Sequence, residues 1–228
     1  MTAAPLRLVI FDVDGTLVDS QNLIVEAFTA AFEALGQPVP PRAALLAVVG
    51  LSLDTLFDRL RPDLDAATQA RLAEAYRDAY MRLRAARGSA ETSPLYPGAR
   101  EALDTLGARP GVLLGVATGK SQRGLDKLIE GHGLHGVFVT RQVADFHPSK
   151  PHPAMVEAAL AETGVAAADA VMVGDTSFDM DMAAAAGVRG IGVSWGYHGR
   201  DRLGAAVRVI DGFDALPAAI DDIWEGRA

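Results

Sequence analysis

The sequence feature that most constrains the fold is an alternation of short apolar stretches with helical ones, which runs from residue 112 to near the end of the chain. Such apolar stretches are typical of strands that are buried on both faces of a parallel sheet. Because strands that alternate with helices build parallel sheets, the sequence predicts a doubly wound, Rossmann-like α/β core. The predicted strands are 6–12, 112–117, 137–140, 170–173, 190–193 and 207–210, and the predicted helices are 121–130, 153–163, 179–186 and 213–224.

The segment from about residue 20 to 90 carries helical patterns only. In its first part Ile24, Phe28 and Phe32 recur at helical spacing, which predicts one buried face. Because this segment interrupts the α/β alternation, we predict an inserted all-helical cap subdomain. Its predicted helices after the first one are 42–48, 52–60 and 66–84, and the predicted domains are a core of residues 1–17 and 92–228 and a cap of residues 18–91.

Composition excludes several classes of function. With 29 acidic against 21 basic residues the net charge is −8, which is unsuited to nonspecific nucleic-acid binding. Polybasic runs that would bind an anionic membrane are absent, as are apolar runs long enough to cross a bilayer. The chain has no cysteine, so thiolate metal sites and cysteine nucleophiles are excluded. We predict a cytoplasmic protein with no nucleic-acid or membrane partner, and its oligomeric state is left open.

The first predicted strand ends in two acidic residues. The apolar run Leu8–Phe11 is followed by Asp12, Asp14 and Gly15. In open α/β sheets the binding crevice lies at the carboxyl ends of the strands. Two neighbouring carboxylates repel each other unless one is protonated or a cation intervenes, so this pair suits acid–base chemistry or a metal. The alternative is a plain turn, in which Asp and Gly are common.

Polar residues also follow two later predicted elements. Thr118 and Gly119 come directly after the strand 112–117, where a hydroxyl and a backbone amide form a natural anion site. The alternative for Thr118 is an ordinary helix cap. Lys150 lies between prolines ahead of a helix, where a cation is unexpected unless an anion accompanies it. The alternative there is a solvated lysine.

A second acidic pair follows the strand 170–173. Asp175 is at the strand end, and Asp179 lies one turn further, where helix capping is its alternative role. Carboxylates without a cysteine or histidine cluster favour Mg²⁺. His147 and His152 have no further ligand that converges with them in the sequence, so we predict no zinc site there.

This order of motifs, over the whole chain, resembles the haloacid dehalogenase superfamily of phosphohydrolases. The chain looks most like the phosphoglycolate phosphatase-type branch, in which a helical cap is inserted just after the first motif. The run Phe11–Ser20, the tripeptide Tyr96–Gly98 and the tripeptide Gly174–Thr176 all fit that branch.

The resemblance implies a role for each acidic residue. Asp12 would be the nucleophile that forms an aspartyl-phosphate, and Asp14 the general acid and then the general base. Mg²⁺ would be held by the Asp12 carboxylate, the Asp14 backbone carbonyl and Asp175. Asp179 would orient a metal-bound water or Lys150.

The resemblance also implies a phosphate site made of Thr118, the Gly119 amide and Lys150. Since a negatively charged phosphoryl group repels an aspartate nucleophile, Mg²⁺ and Lys150 would cancel that repulsion. The predicted activity is Mg²⁺-dependent hydrolysis of a small phosphorylated metabolite, with phosphoglycolate as the leading candidate.

Several other activities are weighed against this one. Sugar-phosphate phosphatases and pyrophosphatases fit the same residues. A phosphoglucomutase-type phosphotransferase also keeps Asp14, but its second motif usually carries Ser in place of Thr118. Dehalogenases lack Asp14 and are set aside. A receiver-like signalling domain, a non-enzymatic alternative, has no helical insertion after its first strand, and an intact motif set argues against a catalytically silent binding protein.

Substrate choice is expected to come from the cap. The tripeptide Gly50, Leu51 and Ser52 is the predicted specificity loop, because the cap would close over the site and place a loop near the leaving group. Three cap arginines are candidates for binding a substrate carboxylate: Arg42, Arg59 and Arg61.

Overall fold

The computed structural model describes residues 5–226 and contains one six-stranded parallel sheet. The strand order is β3-β2-β1-β4-β5-β6, so the chain moves outward from β1 in one direction and then, from β4, in the other. That reversal creates a crevice at the carboxyl ends of β1 and β4. The strands are β1 Arg7–Phe11, β2 Val112–Thr118, β3 Thr140–Val143, β4 Ala170–Gly174, β5 Arg189–Val193 and β6 Arg208–Ile210.

Helices cover both faces of the sheet and form the inserted segment. In chain order the α-helices are α1 Gln21–Ala34, α2 Arg42–Leu46, α3 Leu53–Leu60, α4 Ala66–Arg87, α5 Ser89–Thr92, α6 Ala99–Gly107, α7 Gln122–His132, α8 Ala154–Thr163, α9 Ser177–Ala185 and α10 Leu216–Trp224. Short 3₁₀ turns occupy Ala167–Asp169, Arg200–Arg202 and Phe213–Ala215.

The central strand β1 supplies both apolar layers of the core. Its side chains alternate, so Val9 and Phe11 pack with α6, α7 and α10, whereas Leu8 and Ile10 pack with α8 and α9. All four side chains are fully buried. A strand buried on both faces is the arrangement that its unbroken apolar run predicts. The predicted doubly wound α/β fold with a helical insertion is confirmed.

Helices α1 to α4 share a separate apolar cluster. Phe28, Phe57 and Tyr76 form its aromatic centre, with ring centroids 4.5 to 6.4 Å apart. Phe178 of α9 packs into the same cluster, which fastens the helical segment to the core. The exact domain limits, 18 and 91, stay a prediction.

The chain leaves the sheet layer and returns to it along two adjacent segments. Val18 and Leu95 form an antiparallel bridge. The Asp19 amide donates to the Pro94 carbonyl at 2.8 Å, and the Tyr96 amide donates to the Leu17 carbonyl at 2.9 Å. The helical segment is therefore attached through two short, hydrogen-bonded connecting segments.

Two sequence predictions about elements of the core were wrong. The third strand is Thr140–Val143, not 137–140, because Thr140 pairs with Gly115 while Phe138 packs into the core and Val139 is exposed. Strand β3 lies at the edge of the sheet, and the apolar residues 137–139 precede the residues 140–143 that pair with β2. Helix α6 was missed, although Ala99, Ala102, Leu103 and Leu106 carry its helical spacing.

Smaller differences concern element ends. Helix α4 continues to Arg87, three residues beyond the predicted end, and stops where Gly88 takes a φ of 87°. Within residues 5–226 no helix is both long and apolar enough to cross a membrane. The predicted cytoplasmic location stays a prediction.

Candidate active site

Three carboxylates and one ammonium meet at the carboxyl ends of β1 and β4. The Lys150 Nζ lies 2.8 Å from Asp12 Oδ1 and 2.6 Å from Asp179 Oδ1. Oxygens of Asp12, Asp175 and Asp179 lie within 4.8 Å of one another, and all three residues are buried. Lys150 is also buried, so the solvated lysine considered from the sequence is wrong.

The net effect of burial and the neighbouring charges raises the pKa of all three titratable groups that show a shift here, Asp12, Asp175 and Lys150. Burial raises the pKa of Asp12 to about 7, against the lowering effect of Lys150 and with the support of Asp179. Burial, with Asp179 and Asp12 nearby, raises the pKa of Asp175 well above its ordinary value. Burial alone would lower the pKa of Lys150, but Asp12 and Asp179 outweigh it and raise it. Three carboxyl groups thus face one ammonium group, an arrangement that favours either protonation of a carboxyl group or a bound cation.

The Asp12 carboxylate is not saturated by its protein neighbours. Its contact with Lys150 is an ion pair without hydrogen-bond alignment, and among the described residues Asp12 Oδ2 has no hydrogen-bond partner. A buried carboxylate oxygen without a partner is costly. Together with Asp175 it forms an all-oxygen donor set, which fits a hard divalent cation.

The other two carboxylates are held by their own loops. Asp179 accepts from the backbone amide of Thr176 at 3.0 Å and from its hydroxyl at 2.7 Å, and it forms a capping box at the start of α9. Its other oxygen, Oδ1, accepts from Lys150 Nζ at 2.6 Å, so Asp179 joins this lysine to the start of α9. Asp175 accepts from the Thr16 hydroxyl at 3.0 Å and from the Tyr197 amide at 2.8 Å, which leaves lone pairs on both oxygens.

Two glycines allow the backbone to approach Asp175 closely. A Cβ on Gly15 would overlap the Asp175 carboxylate, and its φ of 82° also favours glycine. A Cβ on Gly196 would overlap the Asp175 side chain from the other side. Both glycines therefore set the position of this carboxylate.

We expect Gly196→Ala to displace Asp175 and to lower activity together with stability. Overpacking of this kind costs about 1–3 kcal/mol. Urea unfolding and phosphate-release kinetics measure the two effects. Gly204→Ala is the matched control, because Gly204 is exposed and no atom lies within 4 Å of its added Cβ. Equal activity and an equal free energy of unfolding in Gly196→Ala and Gly204→Ala would contradict the argument that Gly196 packs closely against Asp175.

Asp14 lies in a different network from Asp12. Its Oδ2 is 2.8 Å from the Lys120 Nζ, and its Oδ1 accepts from the Ser20 hydroxyl. Lys120 also donates to the Tyr80 hydroxyl of α4 at 3.0 Å. The Ser20 oxygen in turn lies 2.9 Å from the Tyr197 hydroxyl. Asp14 therefore links the core directly to the helical segment.

The loop after β2 touches the predicted specificity loop. A Cβ on Gly119 would come within 2.6 Å of the Gly50 carbonyl oxygen, so this contact requires glycine. The Ser52 amide donates to the Ser149 hydroxyl at 2.9 Å. Thr118 is buried and its hydroxyl accepts from the Lys120 amide at 3.3 Å. Thr118 is not the helix cap considered from the sequence, because Ser121 caps α7.

A cavity of about 590 Å³ opens above these residues, between the helical segment and the sheet. Asp12, Asp14, Thr118 and Gly119 lie on its core side. The tripeptide Gly50, Leu51 and Ser52 lies on its cap side. The structure thus brings the predicted specificity loop and the predicted catalytic carboxylates to one cavity.

The three cap arginines singled out from the sequence do not line this cavity. Arg42 binds Gln21 and Asn22, Arg61 pairs with Asp63, and Arg59 lies over the Phe178 ring. The arginines that line it are Arg77, Arg84 and Arg123.

The two histidines near Lys150 have structural partners. His147 lies 2.7 Å from the Gln142 side-chain oxygen, and His152 accepts from the Ala154 amide at 3.2 Å. Within residues 5–226 neither belongs to a group of potential metal ligands.

Comparison with known proteins identifies the family. A sequence profile of the haloacid dehalogenase-like hydrolases matches residues 9–193, which include both acidic pairs, Thr118 and Lys150. The chain belongs to the haloacid dehalogenase-like hydrolases. The predicted family and the prediction of an enzyme are thereby confirmed.

The similarity to individual known proteins extends over most of the chain. A probable phosphatase, IndB, of Dickeya dadantii is 38% identical over 93% of this chain and 92% of its own length. A phosphoglycolate phosphatase of Pseudomonas savastanoi pv. phaseolicola is 35% identical over 85% of this chain and 72% of its own length. The crystal structure of a predicted phosphatase from Clostridium acetobutylicum superposes with a TM-score of 0.83 at 26% identity, covering 96% and 100% of the two chains.

Sequence reasoning missed several residues of the hydrolase site. Lys120 was given no role, and Ser20 was noted only as the last residue of the run Phe11–Ser20. Gly196 and Tyr197 were not noticed, because they lie in a loop after β5 that contains no acidic motif. A signal was present, because this loop follows β5 of the same sheet and the binding crevice of an open α/β sheet lies at the carboxyl ends of its strands.

Proposed function

We propose that the protein is a Mg²⁺-dependent phosphatase that hydrolyses a small phosphate monoester through an aspartyl-phosphate on Asp12. The observation that carries this proposal is the unsaturated, buried Asp12 carboxylate at the floor of the cavity, beside Lys150. The names of the similar proteins, which are phosphatases, support the reaction class.

Asp12 and Asp14 divide the chemistry between them. An Asp12 oxygen attacks phosphorus and forms a P–O bond while the bond from phosphorus to the leaving oxygen breaks. Asp14, which lies at the mouth of the same cavity, gives its proton to the leaving oxygen. It then takes a proton from the water that attacks the aspartyl-phosphate, which releases phosphate and restores the Asp12 carboxylate and the protonated Asp14.

Positive charge and amide donors hold the phosphoryl group. Lys150 lies beside Asp12 and offsets the repulsion between the nucleophile and the anionic substrate. Thr118 and the Gly119 amide contribute neutral donors. Mg²⁺, held by the Asp12 carboxylate, the Asp14 carbonyl and Asp175, would neutralise charge on the phosphoryl oxygens. Asp179 keeps Lys150 in place.

Phosphoglycolate is the leading substrate candidate. Its support comes from the names of similar proteins, and the Gly50–Ser52 loop is the proposed source of discrimination among esters. Sugar phosphates and pyrophosphate share the same phosphoryl group, so a comparison of kcat/KM across such compounds ranks them.

The proposal is tested by phosphate release with and without Mg²⁺. We expect turnover of p-nitrophenyl phosphate and of phosphoglycolate with Mg²⁺ and loss of turnover with EDTA. Mg²⁺ is also expected to raise Tm, because a ligand that binds only the folded state stabilises it. Asp175→Asn is expected to abolish the Mg²⁺-induced rise in Tm as well as the activity. Absence of turnover on every ester, or EDTA-resistant turnover, would contradict the proposal.

A further inference from the structure

The cavity above Asp12 is larger than a two-carbon leaving group requires. Its volume of about 590 Å³ falls within the range of roughly 300–1,000 Å³ in which proteins enclose drug-sized ligands. The phosphoryl end is defined by Asp12, Thr118 and Gly119. Most of the remaining space therefore belongs to the leaving group.

The cap side of the cavity is largely apolar. It is lined by side chains of α1, the loop after α2, α3 and one face of α4: Ile24, Val49, Leu51, Leu56, Tyr76 and Met81. Apolar surface of this kind favours an apolar or aromatic group over water. A hydroxylated sugar would leave its hydroxyl groups without partners on this side, at a cost in binding.

Two guanidinium groups in the same cavity have no anionic partner. Within residues 5–226, neither Arg84 nor Arg123 forms an ion pair with a carboxylate, and Arg84 lies against the Tyr80 ring with 5.8 Å between Cζ and the centroid. The other cationic side chains of the cavity form ion pairs with carboxylates. Arg77 Nη2 lies 3.7 Å from Asp54 Oδ1, and Lys120 Nζ lies 2.8 Å from Asp14 Oδ2.

The acidic side chains near these arginines are also engaged. Asp145 accepts from the Gln122 amide at 2.9 Å at the start of α7, and Asp54 faces Arg77. Away from the phosphoryl end the cavity therefore combines an apolar wall with two free positive charges. An Arg side chain can bind a carboxylate or phosphate in bidentate fashion.

We propose that this enzyme also hydrolyses larger phosphate monoesters, whose leaving group has an apolar or aromatic body and ends in an anionic group that binds Arg84 and Arg123. This inference rests on the proposed phosphatase function. In each reaction the ester oxygen departs with the proton from Asp14, as for a small substrate, and the anionic end takes no part in bond changes.

A matched pair of esters tests the proposal. The anionic probe is 3-(4-phosphonooxyphenyl)propanoate, and the neutral probe is the corresponding propanamide, which has nearly the same size and the same phosphoryl group. Phosphate release with Mg²⁺ gives kcat/KM for both. We expect the carboxylate to exceed the amide by at least about tenfold, the factor that about 1.4 kcal/mol of differential binding produces.

Variants assign that preference to the two arginines. In the double variant Arg84→Gln, Arg123→Gln the ratio of the two kcat/KM values is expected to fall toward one. Arg82→Gln is the matched control on α4, because Arg82 is exposed, bonds to the Asp78 carbonyl and does not line the cavity. It is expected to keep the wild-type ratio.

The outcomes separate this inference from the function on which it rests. Hydrolysis of phosphoglycolate or p-nitrophenyl phosphate without hydrolysis of either aryl probe would overturn the larger substrate class and leave the phosphatase function standing. Equal rates for the carboxylate and the amide, or a wild-type ratio in the double variant, would overturn the role of the arginines. Failure with all four esters would overturn both.

Discussion

Replacement of Asp12 by Asn is expected to lower kcat/KM by at least about 10⁴-fold, the scale on which removal of a covalent nucleophile acts. The amide is nearly isosteric with the carboxylate but does not attack phosphorus. It also carries no charge, so the ion pair with Lys150 at 2.8 Å is lost. Release of phosphate from p-nitrophenyl phosphate and from phosphoglycolate measures the effect.

The matched control for this variant is Asp58→Asn. Asp58 is an exposed residue of α3 that does not line the cavity, so the same chemical change there is expected to leave turnover within a factor of two or so of wild type. Circular dichroism and Tm establish that both variants fold. Turnover within tenfold of wild type by a folded Asp12→Asn protein would refute the nucleophile assignment.

Replacement of Asp14 by Ala is expected to cost about 10²–10⁴-fold in kcat, the range of a general acid–base group. The loss depends on the leaving group. An alkoxide such as that of glycolate requires protonation as it departs, whereas p-nitrophenolate leaves without it. We therefore expect the larger loss with phosphoglycolate and a smaller loss of the first step with p-nitrophenyl phosphate.

This dependence distinguishes proton transfer from a structural role. Asp14 also accepts from Ser20 and pairs with Lys120, so a purely structural defect is expected to affect both esters equally. Asp14→Asn is the second variant, because it retains an acceptor for Ser20. Equal losses of kcat/KM, which reports formation of the aspartyl-phosphate, for the two esters in both variants would contradict the general-acid assignment.

The parts of the site carried by β1 and β4 were accessible from the sequence. Each strand is an unbroken apolar run that ends in an aspartate, and parallel strands place their carboxyl ends at one edge. The apolar runs at residues 8–11 and 170–173 therefore located Asp12 and Asp175 from the sequence alone. Their predicted chemical roles remain to be tested by the variants described above.

Other parts depend on contacts that no local pattern encodes. Lys120 meets Tyr80 only because α4 lies over the loop after β2, and the amide of Tyr197 reaches Asp175 only through the position of the β5 loop. The cap arginines illustrate the same limit. Sequence position suggested Arg42, Arg59 and Arg61, but in the structure each contacts a partner outside the cavity.

The two connecting segments that join the helical segment to the sheet layer have a mechanical consequence. Hydrogen bonds of Asp19 with Pro94 and of Leu17 with Tyr96 resist sliding of one segment past the other, but a connection only two segments wide bends and twists readily. We therefore expect the cap to swing about a single axis. Since Val18 also bridges to Asp14, such a swing would move the cap and Asp14, the proposed proton donor, together.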